Sequence, residues 1–177
     1  MRLFVAIELP TVYKAKLKQL QNKLRTVVDP SFFSFSDSFH LTLAFLGEQP
    51  AEKVEQIKEA LGQFLFSSFD VTLTDVGFFP SEEFVKVIWI GVKPKEPLGV
   101  LEEQIRTALE PLEYKSDKEF HPHITLARVK SKLDKSAVKI IQELEMPKCS
   151  FEVTNFYLFG SELTPNGAIH KKLASFP

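Results

Sequence analysis

Cysteine is almost missing. Cys149 is the only one in 177 residues, so no internal disulfide forms and a thiolate zinc site is excluded. Glycine is scarce too. The seven stand at Gly47, Gly62, Gly77, Gly91, Gly99, Gly160 and Gly167. None falls in G-x-G-x-x-G or G-x-x-x-x-G-K spacing, which removes a dinucleotide fingerprint and a P-loop. No run approaches the roughly 18–20 apolar residues of a membrane helix, and the opening Met1–Glu8 stretch meets a charge too early for a signal peptide. The expected setting is the cytoplasm, with no membrane contact. Neither sign of charge is in excess: 22 Lys and Arg face 23 Asp and Glu, a net −1. Strong non-specific binding of duplex nucleic acid needs many cations on phosphates, so it is not expected, whereas a small local phosphate site is compatible with this balance. Tyrosine and tryptophan are few, three and one, against 17 phenylalanines, a bias towards dry packing.

The 44% apolar content and the length suit one domain, 1–177, with a sizeable core. Its pattern alternates strands and helices. Leu3–Ile7 reads as a buried strand. Tyr13, Leu17, Leu20, Leu24 and Val27 are spaced 4, 3, 4, 3 along one helical face, with Thr11 as its cap. His40–Leu46 reads as a strand, Val54, Ile57, Leu61 and Phe64 as a helix face, and Phe69–Phe79 as a strand. The sequence then begins again. Phe84–Val92 is a strand, Leu98, Leu101, Ile105, Leu109 and Leu112 a helix face, His121–Val129 a strand, Asp134–Leu144 a helix, and Phe151–Phe159 and Ile169–Phe176 strands. Each half reads strand, helix, strand, helix, strand, with the midpoint in the polar turn near Glu82. An internal duplication, halves about 1–82 and 83–177, is the economical explanation. The expected fold is α+β, each lobe an antiparallel sheet with helices on its outer face.

Four histidines occur, and two open nearly the same word: His40-Leu41-Thr42-Leu43 and His123-Ile124-Thr125-Leu126. On a strand, residues i and i+2 share a face. His40 and Thr42 therefore point one way while Leu41 and Leu43 pack the other, and His123 and Thr125 do likewise. Under a pseudo-twofold the two polar pairs meet across one cleft. Two imidazoles supply a base and an acid near neutral pH, and threonine hydroxyls donate to phosphate oxygens without adding charge. In-line phosphoryl transfer calls for that set. The rival is a three-histidine zinc site of His40, His121 and His123. No carboxylate stands at a motif-like spacing beside it, the threonines would be idle, and His121-Pro122 falls where the strand begins. No metal and no cofactor are expected.

These paired words resemble the two-histidine (2H) phosphoesterase superfamily. Within it, Arg2–Pro10, His40–Glu48, Pro122–Arg128 and Ser161–Ala168 resemble the RNA 2′,3′-cyclic phosphodiesterases, also called 2′-5′ RNA ligases, and these blocks reach from one end of the chain almost to the other. The resemblance implies a bilobal fold with the site in a cleft between lobes. It implies metal-independent opening of a 2′,3′-cyclic phosphate to a 2′-phosphate, with 2′-5′ ligation as a side activity. The substrates would be RNA 3′ ends or small cyclic nucleotides, taken by a monomer. By analogy His40 protonates the departing 3′ oxygen and His123 activates water; the residues themselves leave the two roles interchangeable. The alternative from another class is a nucleotide- or RNA-end-binding module with little catalysis, which would not need a matched acid and base. Two departures bear on substrate preference. Ser31–Phe39 stands where the family shows a tryptophan or arginine, so stacking there would fall to Phe, and His170 stands where tyrosine is frequent.

Arg128 follows the second motif and is a possible substrate contact. Strict alternation places it on the face opposite His123, unless the strand bulges. The same rule places Phe45 off the histidine face, in the core. Trp89 and Cys149 read as core residues and His170 as a surface or edge-strand residue.

Overall fold

The apolar runs become strands, and the 4-3-4-3 spacings become helices. The computed structural model describes residues 1–115, 119–164 and 167–177. They hold strands β1 (Arg2–Glu8), β2 (Phe33–Phe35), β3 (His40–Glu48), β4 (Phe69–Pro80), β5 (Val85–Lys93), β6 (His123–Val129), β7 (Ser150–Val153), β8 (Phe156–Thr164) and β9 (Gly167–Phe176), and helices α1 (Thr11–Val27), α2 (Lys53–Leu61), α3 (Lys95–Leu109) and α4 (Lys135–Gln142). Part of the closing Ser161–Ala168 word, Pro165-Asn166, lies outside the described residues.

The strands form an antiparallel path, β7-β4-β5-β6-β3-β1-β8-β9, with β2 added against β6. At the middle of this path β3 and β6 share one paired position, Leu41 with Ile124. The sheet divides there into two lobes related by a pseudo-twofold. That axis passes through the shared rung, because Leu41 and Ile124 hold the same place in the two words. The lobes draw on both ends of the chain. β4 pairs with β5 and β7 in one, and β8 pairs with β1 in the other.

Helices cover one face of the sheet. Leu17, Leu20 and Leu24 of α1, Ile57 and Leu61 of α2, Leu98, Leu101, Ile105 and Leu109 of α3, and Val138 and Ile141 of α4 join Leu3, Val5, Ile7, Leu41, Leu43, Ile124 and Leu126 in one core. Each fully buried side chain of this size contributes roughly 1.5–3 kcal/mol relative to exposure. α1 packs beside α4, and α2 beside α3. The opposite face is left to polar and aromatic residues.

Three sequence expectations change. Thr11 is the first helical residue and not a cap: Pro10 precedes it, and no side chain caps α1. Asp134 does cap α4, its carboxylate accepting from the Ala137 N–H at 2.7 Å. The single strand expected over Phe151–Phe159 is two strands near opposite ends of the sheet: β7 is one edge, where Val153 pairs with Phe69, and β8 lies between β1 and the other edge strand, β9, where Phe156 pairs with Phe176. The break falls at Thr154-Asn155, where the buried positions change from odd to even. β2, three residues long, is too short to register in a periodicity.

Candidate active site

The two words fold identically. His40 to Phe45 and His123 to Arg128 both run half-buried, buried, half-buried, buried, buried, exposed. Leu41, Leu43, Ile124 and Leu126 enter the helix-covered core, which turns His40, Thr42, His123 and Thr125 to the open face. Counted outwards from the Leu41–Ile124 rung, the antiparallel register sets Thr42 next to His123 and His40 next to Thr125. The structure thus brings together all four residues expected of the site.

Strict alternation fails just beyond them, in the same way in both strands. In β3, Val5 pairs with Ala44 and Ala6 with Thr42, so Leu43 is an extra residue. In β6, Ile88 pairs with Ala127 and Trp89 with Thr125, so Leu126 is extra. A β-bulge of one residue reverses the parity of everything after it. Phe45 pairs with Phe4, whose ring packs 4.9 Å from the His40 ring. Phe45 is therefore on the histidine face, and it is 68% exposed rather than core. Arg128 pairs with Val87, two residues before Trp89, so it too joins the histidine face instead of opposing it. Its charge is felt at His123.

Each imidazole has its own support. His123 Nδ1 donates to the His121 carbonyl at 2.6 Å. A carbonyl only accepts, so neutral His123 carries its proton on Nδ1 and leaves Nε2 as a free base. Burial lowers its pKa, the bond to His121 counters that, and the charges of His121 and Arg128 lower it further. His40 Nδ1 lies 3.3 Å from Ser38 Oγ, a hydroxyl that either donates or accepts. The His40 ring sits against Phe4, Phe159 and His170. Burial pushes its pKa down to about 4, helped by positive charge on His170, Lys14 and His123 and opposed by Glu8. Glu8 is itself shared: Lys14 bonds one carboxylate oxygen at 2.5 Å, and Lys172 pairs with the other.

Sequence reasoning missed the aromatic and imidazole walls. His170 is on β9, an edge strand as expected, yet its ring stands 5.4 Å from His40, edge-on, and 5.0 Å from Phe4. Its Nδ1 is buried without a hydrogen-bond partner. Trp89 is half-buried on the same face as His123, 4.8 Å from the His121 ring and 4.9 Å from Phe79, so it lines the site instead of filling the core. Cys149 is buried as expected. In the Ser31–Phe39 stretch, Phe33 and Phe39 are core residues, Phe32 and Phe35 are half-buried, and Arg25 lies over the Phe35 ring. A signal for His170 existed in its being a departure, an imidazole where the resembling family frequently shows tyrosine. The other walls follow from the bulges, which leave no compositional mark. Among the described residues, no group of three or more His, Cys, Asp or Glu side chains is gathered as a metal ion would require; the His40, His121, His123 set is not assembled.

A protein family described as the 2′-5′ RNA ligase superfamily matches residues 36–164. A relative from Archaeoglobus fulgidus, named RNA 2′,3′-cyclic phosphodiesterase, is 35% identical and covers 99% of each chain. One of the same name from Thermotoga maritima is 33% identical over 98% of this chain and 93% of its own. Among solved structures, a Thermus thermophilus protein, TT0787, superposes with a TM-score of 0.80 at 31% identity, covering 99% of this chain and 97% of that one. Escherichia coli LigT, solved with 3′-AMP bound, gives 0.78 at 29% identity, covering 98% and 95%.

Proposed function

The chain belongs to the 2′-5′ RNA ligase superfamily, and on that premise we propose that it hydrolyses 2′,3′-cyclic phosphates at RNA ends to 2′-phosphates, without a metal, by paired histidine catalysis. The observation that carries this reading is the pair of identically folded His-x-Thr words facing one open surface across the Leu41–Ile124 rung.

The hydrogen bond held by His123 supports one assignment of the two roles. His123, with its proton fixed on Nδ1 by the His121 carbonyl, takes a proton from water through Nε2 as the water oxygen attacks phosphorus. The bond from phosphorus to O3′ breaks, and His40 gives the departing O3′ a proton, leaving a 2′-phosphate and a free 3′-hydroxyl. His40 is neutral near pH 7 in the free protein. A bound cyclic phosphate brings a negative charge to it, which favours the protonated form needed for this step. Thr42, Thr125 and Arg128 hold the non-bridging oxygens, and exposed Phe45 offers a ring to the terminal base. A ribose hydroxyl in place of water turns the same transfer into 2′-5′ ligation.

The test is incubation with a dinucleotide ending in a 2′,3′-cyclic phosphate, with products assigned by phosphorus NMR. A 2′-phosphate forms, a strong chelator leaves the rate unchanged, and H40A and H123A each lose about 10²–10⁴-fold in kcat while keeping the wild-type circular dichroism spectrum. A 3′-phosphate product, chelator sensitivity or near-wild-type rates in both variants would refute the mechanism. Tight binding of the dinucleotide without turnover would make this a binding module.

A further inference from the structure

We propose that Gln21 is a positioning residue of the site: its side-chain amide staples the β-bulge at Leu126 and so holds Arg128 on the face of His123. The proposal rests on the reading that this face binds a phosphoryl group.

Gln21 interrupts a pattern. On α1 it lies on the apolar face, between Leu17 and Leu24, where helical spacing calls for hydrocarbon. Among the described residues it is the one polar side chain fully withdrawn from solvent. Its Nε2 donates to two main-chain carbonyls, Leu126 at 2.9 Å and Ser36 at 2.8 Å. Its Oε1 has no protein partner, so the side chain is placed for what it donates.

Leu126 is the extra residue of the β6 bulge and stands outside the ladder to β5. Its carbonyl points towards β2 and receives the Ser36 N–H at 3.1 Å as well as the Gln21 amide. The Ser36 carbonyl, just past the end of β2, takes the second proton of that amide. Without Gln21, the Ser36 carbonyl would lose its donor and the bulge carbonyl, on the buried side of the staple, one of two, and buried hydrogen bonds left unmade are costly. A strand relieved of its bulge resumes strict alternation, and strict alternation turns Arg128 away from His123 and Thr125. A helix on the far side of the sheet thereby selects which residue faces the substrate.

The experiment is a double-mutant cycle on kcat/KM for the cyclic-phosphate dinucleotide, using wild type, Q21M, R128A and Q21M/R128A. Methionine keeps the length of Gln21 and removes both donors. Q21M should lose about 10–100-fold in the wild-type background and no more than about threefold when Arg128 is already gone. Equal losses in both backgrounds overturn the proposal, and so does an unchanged kcat/KM for Q21M. Should Q21M fail to fold, Q21N, which keeps a donor amide one methylene short, is taken through the same cycle and read in the same way. A crystal structure of the folded Gln21 variant without substrate gives an independent readout. Loss of the Leu126 bulge, with Arg128 turned from the histidine face, is expected, and an intact bulge refutes the proposal. An inactive wild type would defeat the functional reading, leaving the register of β6 to decide the role of Gln21.

Discussion

His170 alters the conditions under which its neighbour holds a proton. Two imidazoles 5.4 Å apart repel when both are charged, and the His40 pocket is already unfavourable to charge through burial. Replacing His170 with Phe keeps the packing on Phe4 and removes the second charge, so the His40 midpoint should rise from about 4. Titration of the His40 ring protons by NMR measures this, and an unmoved or lowered midpoint contradicts it. The limb of the pH–rate profile governed by His40 should move upwards with it. At this scale the sequence was legible where side-chain direction follows from counting. The period of two placed His40 beside Thr42 and His123 beside Thr125. Counting failed for Phe45 and Arg128, five residues on, because an intervening bulge reverses the count. It could say nothing of His170, brought to His40 by the β1–β8 and β8–β9 pairings, contacts between residues far apart in the chain.

Among the elements, β4 and β5 show how a strand makes room for a site. Gly77 pairs with Trp89, and a Cβ built on Gly77 would fall 2.2 Å from the indole ring. The missing side chain lets the indole lie flat over β4 and reach His121 and Phe79. G77A should therefore push Trp89 out of place, costing about 1–3 kcal/mol as an overpacked site does. Chemical denaturation gives the loss, and tryptophan fluorescence reports the movement of this single indole; unchanged stability and emission would contradict it. Away from the site, D134A removes the α4 cap and should cost about 1 kcal/mol with no effect on kcat/KM. The long elements were legible because their apolar spacing is regular: the buried leucines of α1 and α3 are those picked out by the 4-3 rhythm. The break between β7 and β8 was written in a Thr-Asn pair and a change of parity, which a run of Phe and Val hides. Gly47, at φ +69°, marks a second irregularity in β3, where the pairing with β1 skips Leu46.

For the molecule as a whole, all four histidines are shifted in one direction. Burial lowers His40, His121, His123 and His170. Each binds a proton more readily when unfolded, near 6.5, than when folded. Their contribution to stability is therefore complete above about pH 6.5 and is lost as the pH falls, for His40 down to about 4. Thermal melts should show Tm steady from about pH 8 to 7 and declining between about pH 6.5 and 4, and H40F should flatten that decline. An equal slope in the variant would count against the burial argument. Glu8 acts at the lower end of the range. Burial raises its pKa, yet Lys14 and Lys172 outweigh this and hold it below the usual carboxylate value. Its own contribution fades only when acid reaches the carboxylate range.

The α+β class and two related lobes were readable from the repeated order of elements. The exchange of strands between lobes was not, because pairing partners are chosen by the sheet edge left open after collapse, and no local pattern records that choice. The contact between β3 and β6 has a consequence of its own. Within the sheet one rung joins the two halves, and that rung lies inside both words, so any pivoting of one half against the other would centre on the four residues proposed for the site. Were the lobes to splay, the far rims would travel most and the gap between His40 and His123 least. A bulkier molecule laid across the sheet would then displace the rims before it altered the spacing over which the proposed transfer takes place.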